Sequence, residues 1–451
     1  MPRPAETLPM NLPAGAAPRS FLAALGPGLL FAGAAVGVSH LVQSTRAGAT
    51  YGVAMLSVVL LANVVKFPAF RFGPHYAAAT GTSLLEGYRR QGTWVLVVFA
   101  LLTLGTMFTV AAVVTLVTAG VAISFLGLAP WLEATVGGVH GPALVSAVIL
   151  ICSAALLATG GYVWLDRLMK VVLPVLSVLT LAATILAIGG IDWSQAAVLP
   201  PTEAFVAPGV LFTVALIGWM PSAIDVSVWS SLWTLARARQ VRTSPDLRNV
   251  LRDFDVGYVV TVFLAFAFVL LGTELMFGRG VTFADSAAGF ASQVIDLYTE
   301  NLGAWSRPII GVAALLVMFS TVVTVMDGFP RVISGLVEQF RGPASLTSVP
   351  TSHGEGRRAV YAVACVVLTF GAIAILVLAM SSFKALVDLA TTLSFLTAPV
   401  LSWFNHRAVQ GAEVPVALRP SRAMLAWSWI AILLQAAFAA WFLWIQFGPR
   451  T

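Results

Sequence analysis

Uncharged apolar runs long enough to cross a bilayer recur along almost the whole chain, and no other feature constrains the fold as strongly. A helix crossing the hydrocarbon core needs about 20 mostly apolar residues, and in lipid its backbone groups must satisfy one another. Such runs lie at 21–45, 51–72, 94–125, 142–160, 166–190, 208–235, 254–277, 307–338, 358–380, 383–405 and 424–446, with only Ser381 and Ser382 between the ninth and tenth. Charged residues make up 10% of the 451, whereas a soluble chain carries nearer a quarter. A water-facing surface does not tolerate that deficit. The expectation is an all-α integral membrane protein of about eleven transmembrane helices, with the lipid bilayer as its principal partner.

The remaining charges set a direction. With the N-terminus placed in the cytoplasm, the loops on that side hold Arg71, Arg89 and Arg90; Arg167 and Lys170; Arg237, Arg239, Arg242, Arg248 and Arg252; Arg331, Arg341, Arg357 and Arg358; and Arg407, Arg419 and Arg422. The opposite loops 126–141 and 191–207 carry no Lys or Arg. This is the positive-inside pattern repeated loop after loop. It predicts a multi-pass protein of the cell membrane with a cytoplasmic N-terminus and an external C-terminus. It also accounts for the net charge of +6 without a nucleic-acid partner. Residues 1–20, rich in Pro and Ala, read as a cytoplasmic tail rather than a cleavable leader, because the first apolar run is of full span length. The loop around 281–303, with Asp285, Asp296 and Glu300, is expected to form a short surface helix, and 341–357 a flexible linker. Cys152 and Cys365 lie inside apolar runs and read as buried free thiols, which leaves no disulfide framework and no Cys-based metal site.

Two spans are interrupted at matching places. The first reads GPGLLFAGAAVGVSHLVQST, with Gly33 and Gly37 followed by Ser39, His40 and Gln43. The sixth reads VALIGWMPSAIDVSVW, with Gly218, then Met220-Pro221-Ser222, then Asp225. Proline within a helix removes a backbone hydrogen bond and clashes with the preceding turn. Such breaks at membrane depth are tolerated where protein or a water-filled cavity satisfies the freed groups. Gly/Pro interruptions at corresponding positions of two five-helix halves point to a transporter built from inverted repeats, with unwound backbone coordinating its cargo near the midplane. The halves are then 21–190 and 208–406, with 424–446 as an additional eleventh helix. Gly33 and Gly37 also form a small-xxx-small pair that can serve helix packing alone, and Pro221 alone can be a simple kink.

At these residues the chain resembles the Nramp family of divalent metal transporters, over most of spans 1–10. Gly26-Pro27-Gly28, Ala47-Gly48, Tyr51-Gly52, Leu61-Ala62-Asn63, Ala79-Thr80-Gly81, Glu86, the run from Gly161 to Arg167 and Met220-Pro221 carry the resemblance. The departures fall at the chemical centre. Where that family has Asp-Pro-Gly-Asn, this chain has Gly37-Val38-Ser39-His40; where it has Met-Pro-His, this chain has Met220-Pro221-Ser222. The third span, which in that family carries acids of a proton pathway, has none between Thr93 and Phe125. The resemblance implies a five-plus-five inverted-repeat fold with broken helices 1 and 6, and a divergent branch whose usual ligand set is not intact.

The candidate substrate or ion site comprises Gly37, Ser39, His40, Gln43, Met220, Ser222, Asp225 and Thr392. His40, Met220 and Asp225 are the candidate metal ligands: imidazole and thioether suit transition metals, and intramembrane acids default to function. Asp225 can neutralise a cation, carry a proton or pair with a basic residue elsewhere, and His40 can instead brace the unwound segment. Asp327 with Arg331, Asp388 with Lys384 and Asp166 with Lys170 share helix spacing and are expected to pair, the second pair also being a candidate outer gate. Glu274 is expected near the outer end of span 7. The functional expectation is a secondary transporter moving a divalent cation of the Mn, Fe or Mg class by alternating access, with protons as the candidate coupling ion. No resident cofactor is expected. The alternative is a transporter of the same fold for a small organic solute or monovalent cation. No H-E-x-x-H or G-x-S-x-G motif and no paired intramembrane aspartates are present, so no enzyme is expected.

Overall fold

The structure, a computed structural model, describes residues 26–137, 140–241, 245–280, 283–284, 286–341, 353–378 and 383–448. Among these residues the regular elements are all helical. The tail 1–20, Arg242, Asp285, the linker at 342–352 and the Ser381-Ser382 join lie outside the described residues, as does the side chain of Asp166.

Eleven crossings are laid out in the expected order. Span 1 is discontinuous: helix Pro27–Ala35, a break at 36–38, a π-helical turn Ser39–Ser44, then helix Thr45–Tyr51. Span 2 is Met55–Thr80 and span 3 Thr93–Leu126. Spans 4 and 5 lie within one helical run, Gly141–Ala187, with apolar cores at Gly141–Ala158 and Met169–Gly190. That run holds two separate apolar stretches, each long enough to cross a bilayer core, although helical geometry continues where the sequence reading placed a loop. Span 6 is broken into Gly209–Trp219 and Val226–Val241. Leu247–Met276, Arg307–Arg341, His353–Leu378, Phe383–Ala408 and Arg422–Phe447 form spans 7 to 11. The expected surface helix after span 7 is Ala287–Leu302, which buries Phe290 and Val294.

Large apolar side chains also cover the outside, among them Leu101, Ile151, Val178, Phe263, Phe370 and Leu433. A helix apolar on every face belongs in lipid. Cys152 is one of these outward residues, not a buried thiol, whereas Cys365 is buried. Apolar sequence context does not imply burial here, because lipid is as apolar as the protein interior.

Helix association in lipid depends on close packing of small residues rather than on a hydrophobic drive. Span 1 crosses span 7 through glycines at both of its ends. A Cβ on Gly28 would strike the Asp253 carbonyl, and one on Gly257 the Gly28 carbonyl; Gly48 and Gly272 make the same approach to Val269 and Thr45. The Asp253 carboxylate accepts from the backbone N–H groups of Gly26 and Gly28 at 3.1 and 2.8 Å, capping the first helix. Gly218 packs against the Thr391 carbonyl, holding the first half of span 6 on span 10. Span 1 is therefore fixed to span 7 at both ends, span 6 is held on span 10 beside its break, and the two breaks meet between them.

Asp327 and Arg331 pair as expected, through Nε at 3.0 Å and Nη2 at 2.5 Å, and the carboxylate also accepts from Trp233 Nε1 and Tyr361 Oη, both at 3.0 Å. The expected Asp388–Lys384 pair does not form. Asp388 instead takes Arg46 of span 1 at 2.8 and 3.4 Å, and Lys384 donates to the Phe283 carbonyl at 3.0 Å. A planar guanidinium grips both carboxylate oxygens, which one ammonium cannot do.

Candidate functional site

The break in span 6 runs from Met220 to Asp225, and that in span 1 lies at 36–38. Ser39 joins them: its Oγ lies 2.6 Å from the Ala35 carbonyl and 3.2 Å from the Pro221 carbonyl. Beside these contacts is a cavity of about 40 Å³, lined by Ser39, Ser222, Asp225 and Thr321 together with Trp219, Trp229 and Phe329. It has room for roughly three water molecules.

Two polar groups in its lining have no partner. Asp225 Oδ1 and Trp229 Nε1 are both buried without a hydrogen bond in the structure. One is an acceptor, the other a donor only. Buried polar groups are normally paired, so each orphan calls for an explanation. Ring contacts fix the indole: Trp229 packs edge-on against Phe329 at 4.8 Å and against Trp233 at 6.0 Å.

The expected metal ligands are not brought together. His40 is fully buried, its Nε2 2.9 Å from the Thr261 carbonyl and its Nδ1 2.7 Å from Ser39 Oγ. The carbonyl can only accept, so Nε2 carries the hydrogen. Both ring nitrogens are engaged, and the histidine braces span 1 against span 7. Met220 packs its thioether into an apolar cluster with Ala47, Met55, Leu216, Ala265 and Val269. Gly37 faces the Thr321 side chain. Gln43 accepts from Arg46 at 2.9 Å through Oε1, its Nε2 remaining buried and unpaired. Thr392 is half-buried on span 10, outside the cavity lining. Of the sequence candidates, Ser39, Ser222 and Asp225 share the cavity. Among the described residues no group of three His, Cys, Asp or Glu is placed to hold a metal.

Trp229 was not among the sequence candidates, and neither was a buried lysine. Lys66 of span 2 is 1% exposed, and its ammonium donates to the carbonyls of Ile217, Gly218 and Ser222 at 2.6, 2.7 and 3.1 Å. Asp225 ends the same unwound turn, three residues beyond Ser222. The signal was available: a lysine inside an apolar span is costly and needs a partner. Glu274 is 10% exposed and paired with Arg279 at 2.9 Å.

No family model matches the sequence. An uncharacterized protein of Pasteurella multocida, PM0681, is 32% identical over 396 residues, spanning 87% of this chain and 86% of that protein. Among solved structures, a manganese transporter of Eremococcus coleocola, in its H236A mutant, superposes with a TM-score of 0.66 at 13% identity, over 97% of this chain and 91% of its own. MhsT in complex with L-phenylalanine gives 0.65 at 16% identity, over 93% and 99%. Mhp1, a nucleobase-cation-symport-1 family transporter with bromovinylhydantoin bound, gives 0.54 at 15%, over 94% and 92%. At these identities the likeness is one of fold: a five-plus-five helical transporter fold with broken helices 1 and 6.

Proposed function

The chain belongs to the family of PM0681 of Pasteurella multocida, and from that membership and the transporter fold we propose that it is a secondary transporter of a small polar organic solute. The solute offers a hydrogen-bond donor or ammonium to Asp225 and an acceptor to Trp229. It moves by alternating access around the two breaks, with the arginine-rich loops in the cytoplasm. Residues 21–190 and 208–406 act as the two repeats.

The observation that carries this reading is the pair of orphaned groups in one cavity, Asp225 Oδ1 and Trp229 Nε1. A donor and an acceptor, each left without a partner on residues that line one cavity, suit a molecule with both functions. A bare metal ion accepts no hydrogen bond from an indole. Charge supports the same choice. Asp225 is the one carboxylate in the cavity lining, and the Lys66 ammonium is bound at the Ser222 carbonyl three residues before it. A cation entering there is attracted by one carboxylate and repelled by the ammonium behind it, and a dication meets that repulsion at twice the strength of a monovalent solute. The aromatic lining adds cation–π attraction for an organic ammonium. The fold does not choose among cargoes, since its relatives include a manganese transporter and a structure with L-phenylalanine bound.

A second reading keeps a divalent cation with part of its water shell, the waters answering Trp229 and Asp225 binding the ion. One experiment separates the two. Purified protein in liposomes is supplied with radiolabelled methylammonium, a panel of labelled amino acids, and ⁵⁴Mn²⁺. Saturable uptake of an organic probe, abolished by Asp225→Asn, supports the proposal. Saturable Mn²⁺ uptake without any organic uptake overturns it in favour of the metal.

A further inference from the structure

Beside the cavity, on the far side of Ser222, lies a cationic centre. The carbonyls of Ile217, Gly218 and Ser222 converge on one point where span 6 unwinds, and the Lys66 ammonium occupies it at 2.6, 2.7 and 3.1 Å. The Ile217 carbonyl also accepts from Met220 N at 3.3 Å. For Gly218 and Ser222 the ammonium is the donor the structure provides. An ammonium has three hydrogens and no acceptor, and here each hydrogen finds one oxygen. Convergent backbone carbonyls shielded from water are how proteins replace the hydration shell of a monovalent cation.

We propose that the unwound turn of span 6 is a monovalent-cation site whose occupant is the chain's own ammonium, delivered by span 2. The cage thus needs no Na⁺ or K⁺ from solution. A tethered occupant binds intramolecularly, so its occupancy does not depend on the concentration of any ion in solution. Of the other groups near the cage, Asp225 ends the break in span 6, just before its second half. From span 7, the Tyr258 hydroxyl is spent on the Asn63 carbonyl at 2.7 Å. The His40 ring of span 1 is turned to Thr261. The Asn63 side chain, one turn from Lys66, donates to Val59 at 2.8 Å. Asp225, three residues beyond the Ser222 carbonyl, is the acid nearest to the cage along span 6.

The test removes the tether and offers the cage a free ion. Lys66→Ala is purified in detergent, and its thermal unfolding is followed at equal ionic strength in the chlorides of Na⁺, K⁺, Rb⁺, methylammonium and N-methylglucamine, the last too bulky for the cage. Wild type is expected to unfold at one midpoint in all five. The variant is expected to lose stability in N-methylglucamine and to regain at least half the loss, saturably, in one or more of the small cations. A monodisperse variant with the same midpoint in every salt overturns the proposal, as does a wild type with the variant's cation selectivity. Should Lys66→Ala not fold, wild type still decides. The chain has three lysines, Lys66, Lys170 and Lys384. Reductive methylation with ¹³C-formaldehyde is expected to leave Lys66 unmodified until the protein is denatured, and modification as fast as the other two removes the ammonium from the cage. No transported solute enters either readout, so failure here and failure of the cargo proposal are separately visible.

Discussion

Breaking the contact between Arg46 and Asp388 should open the side of the protein that lies away from the cavity. Arg46 follows the π-helical turn of span 1, and its Nη1 and Nη2 meet Oδ1 and Oδ2 of Asp388 on span 10 at 2.8 and 3.4 Å. Gln43 Oε1 accepts from the same Nη1 at 2.9 Å, and the guanidinium carbon stands 4.7 Å from the Phe212 ring centroid. The cavity is lined from the other direction, by Ala34, Ala35, Trp229 and Phe329. The pair therefore ties span 1 to span 10 across the breaks. Its side chains are 13% and 28% exposed, so the several kcal/mol of a fully buried pair does not apply. A charged hydrogen bond contributes about 1.5–3 kcal/mol, and partial solvent access takes it toward roughly 1.5–2 kcal/mol. At 1.4 kcal/mol per factor of ten, the closed-to-open balance should shift about 10- to 30-fold. The assay uses a background of Cys152→Ser and Cys365→Ala carrying Ser39→Cys in the cavity lining, with a membrane-impermeant maleimide added from the Arg46 side. Asp388→Asn and Arg46→Met should each raise the labelling rate by about that factor, and the double variant should add little more. Unchanged rates, or effects of the two substitutions that simply add, would refute the reasoning, since a shared contact must show coupling.

Trp229→Phe keeps the ring packing and deletes the orphaned N–H; affinity for the organic solute should fall about tenfold, the worth of one buried hydrogen bond, with the unfolding midpoint unchanged. Asp327→Asn leaves Arg331 half-solvated opposite a neutral amide and weakens the contacts to Trp233 and Tyr361, and denaturation should show a loss of roughly 3 kcal/mol; a loss under 1 kcal/mol would mean that the arginine finds water. Gly257→Ala places a methyl against the Gly28 carbonyl, where spans 1 and 7 touch. Overpacking of this kind costs about 1–3 kcal/mol, measurable as a lowered unfolding midpoint, whereas alanine at Gly105, which meets nothing, should be neutral.

The contrast between Asp327 and Asp388 shows where sequence reasoning stops. Both acids have a base at helical spacing, and only Asp327 uses it, because Arg46, 342 positions away, presents a fork to Asp388 that Lys384 cannot match. His40 illustrates the same limit. Its residue type suggested a ligand, but the Thr261 carbonyl on span 7 occupies one nitrogen and Ser39 the other. Lys66 was legible as an anomaly, a charge within an apolar span, and its meaning depended on three carbonyls some 150 residues away.

The sequence by itself determined the medium, the number and order of the crossings, and the positions of the two breaks. Lipid leaves a backbone no partner but itself, so length, apolarity and the Gly/Pro interruptions translate directly into helices and their gaps. Only the tertiary structure decided which polar groups meet in those gaps. It set Asp225 and Trp229 on one cavity, turned Met220 into an apolar cluster, and filled the span 6 carbonyls with an ammonium from span 2. Contacts between helices in lipid rest on side-chain fit and backbone proximity at a few small residues, and no periodicity along the chain encodes which faces those residues bring together.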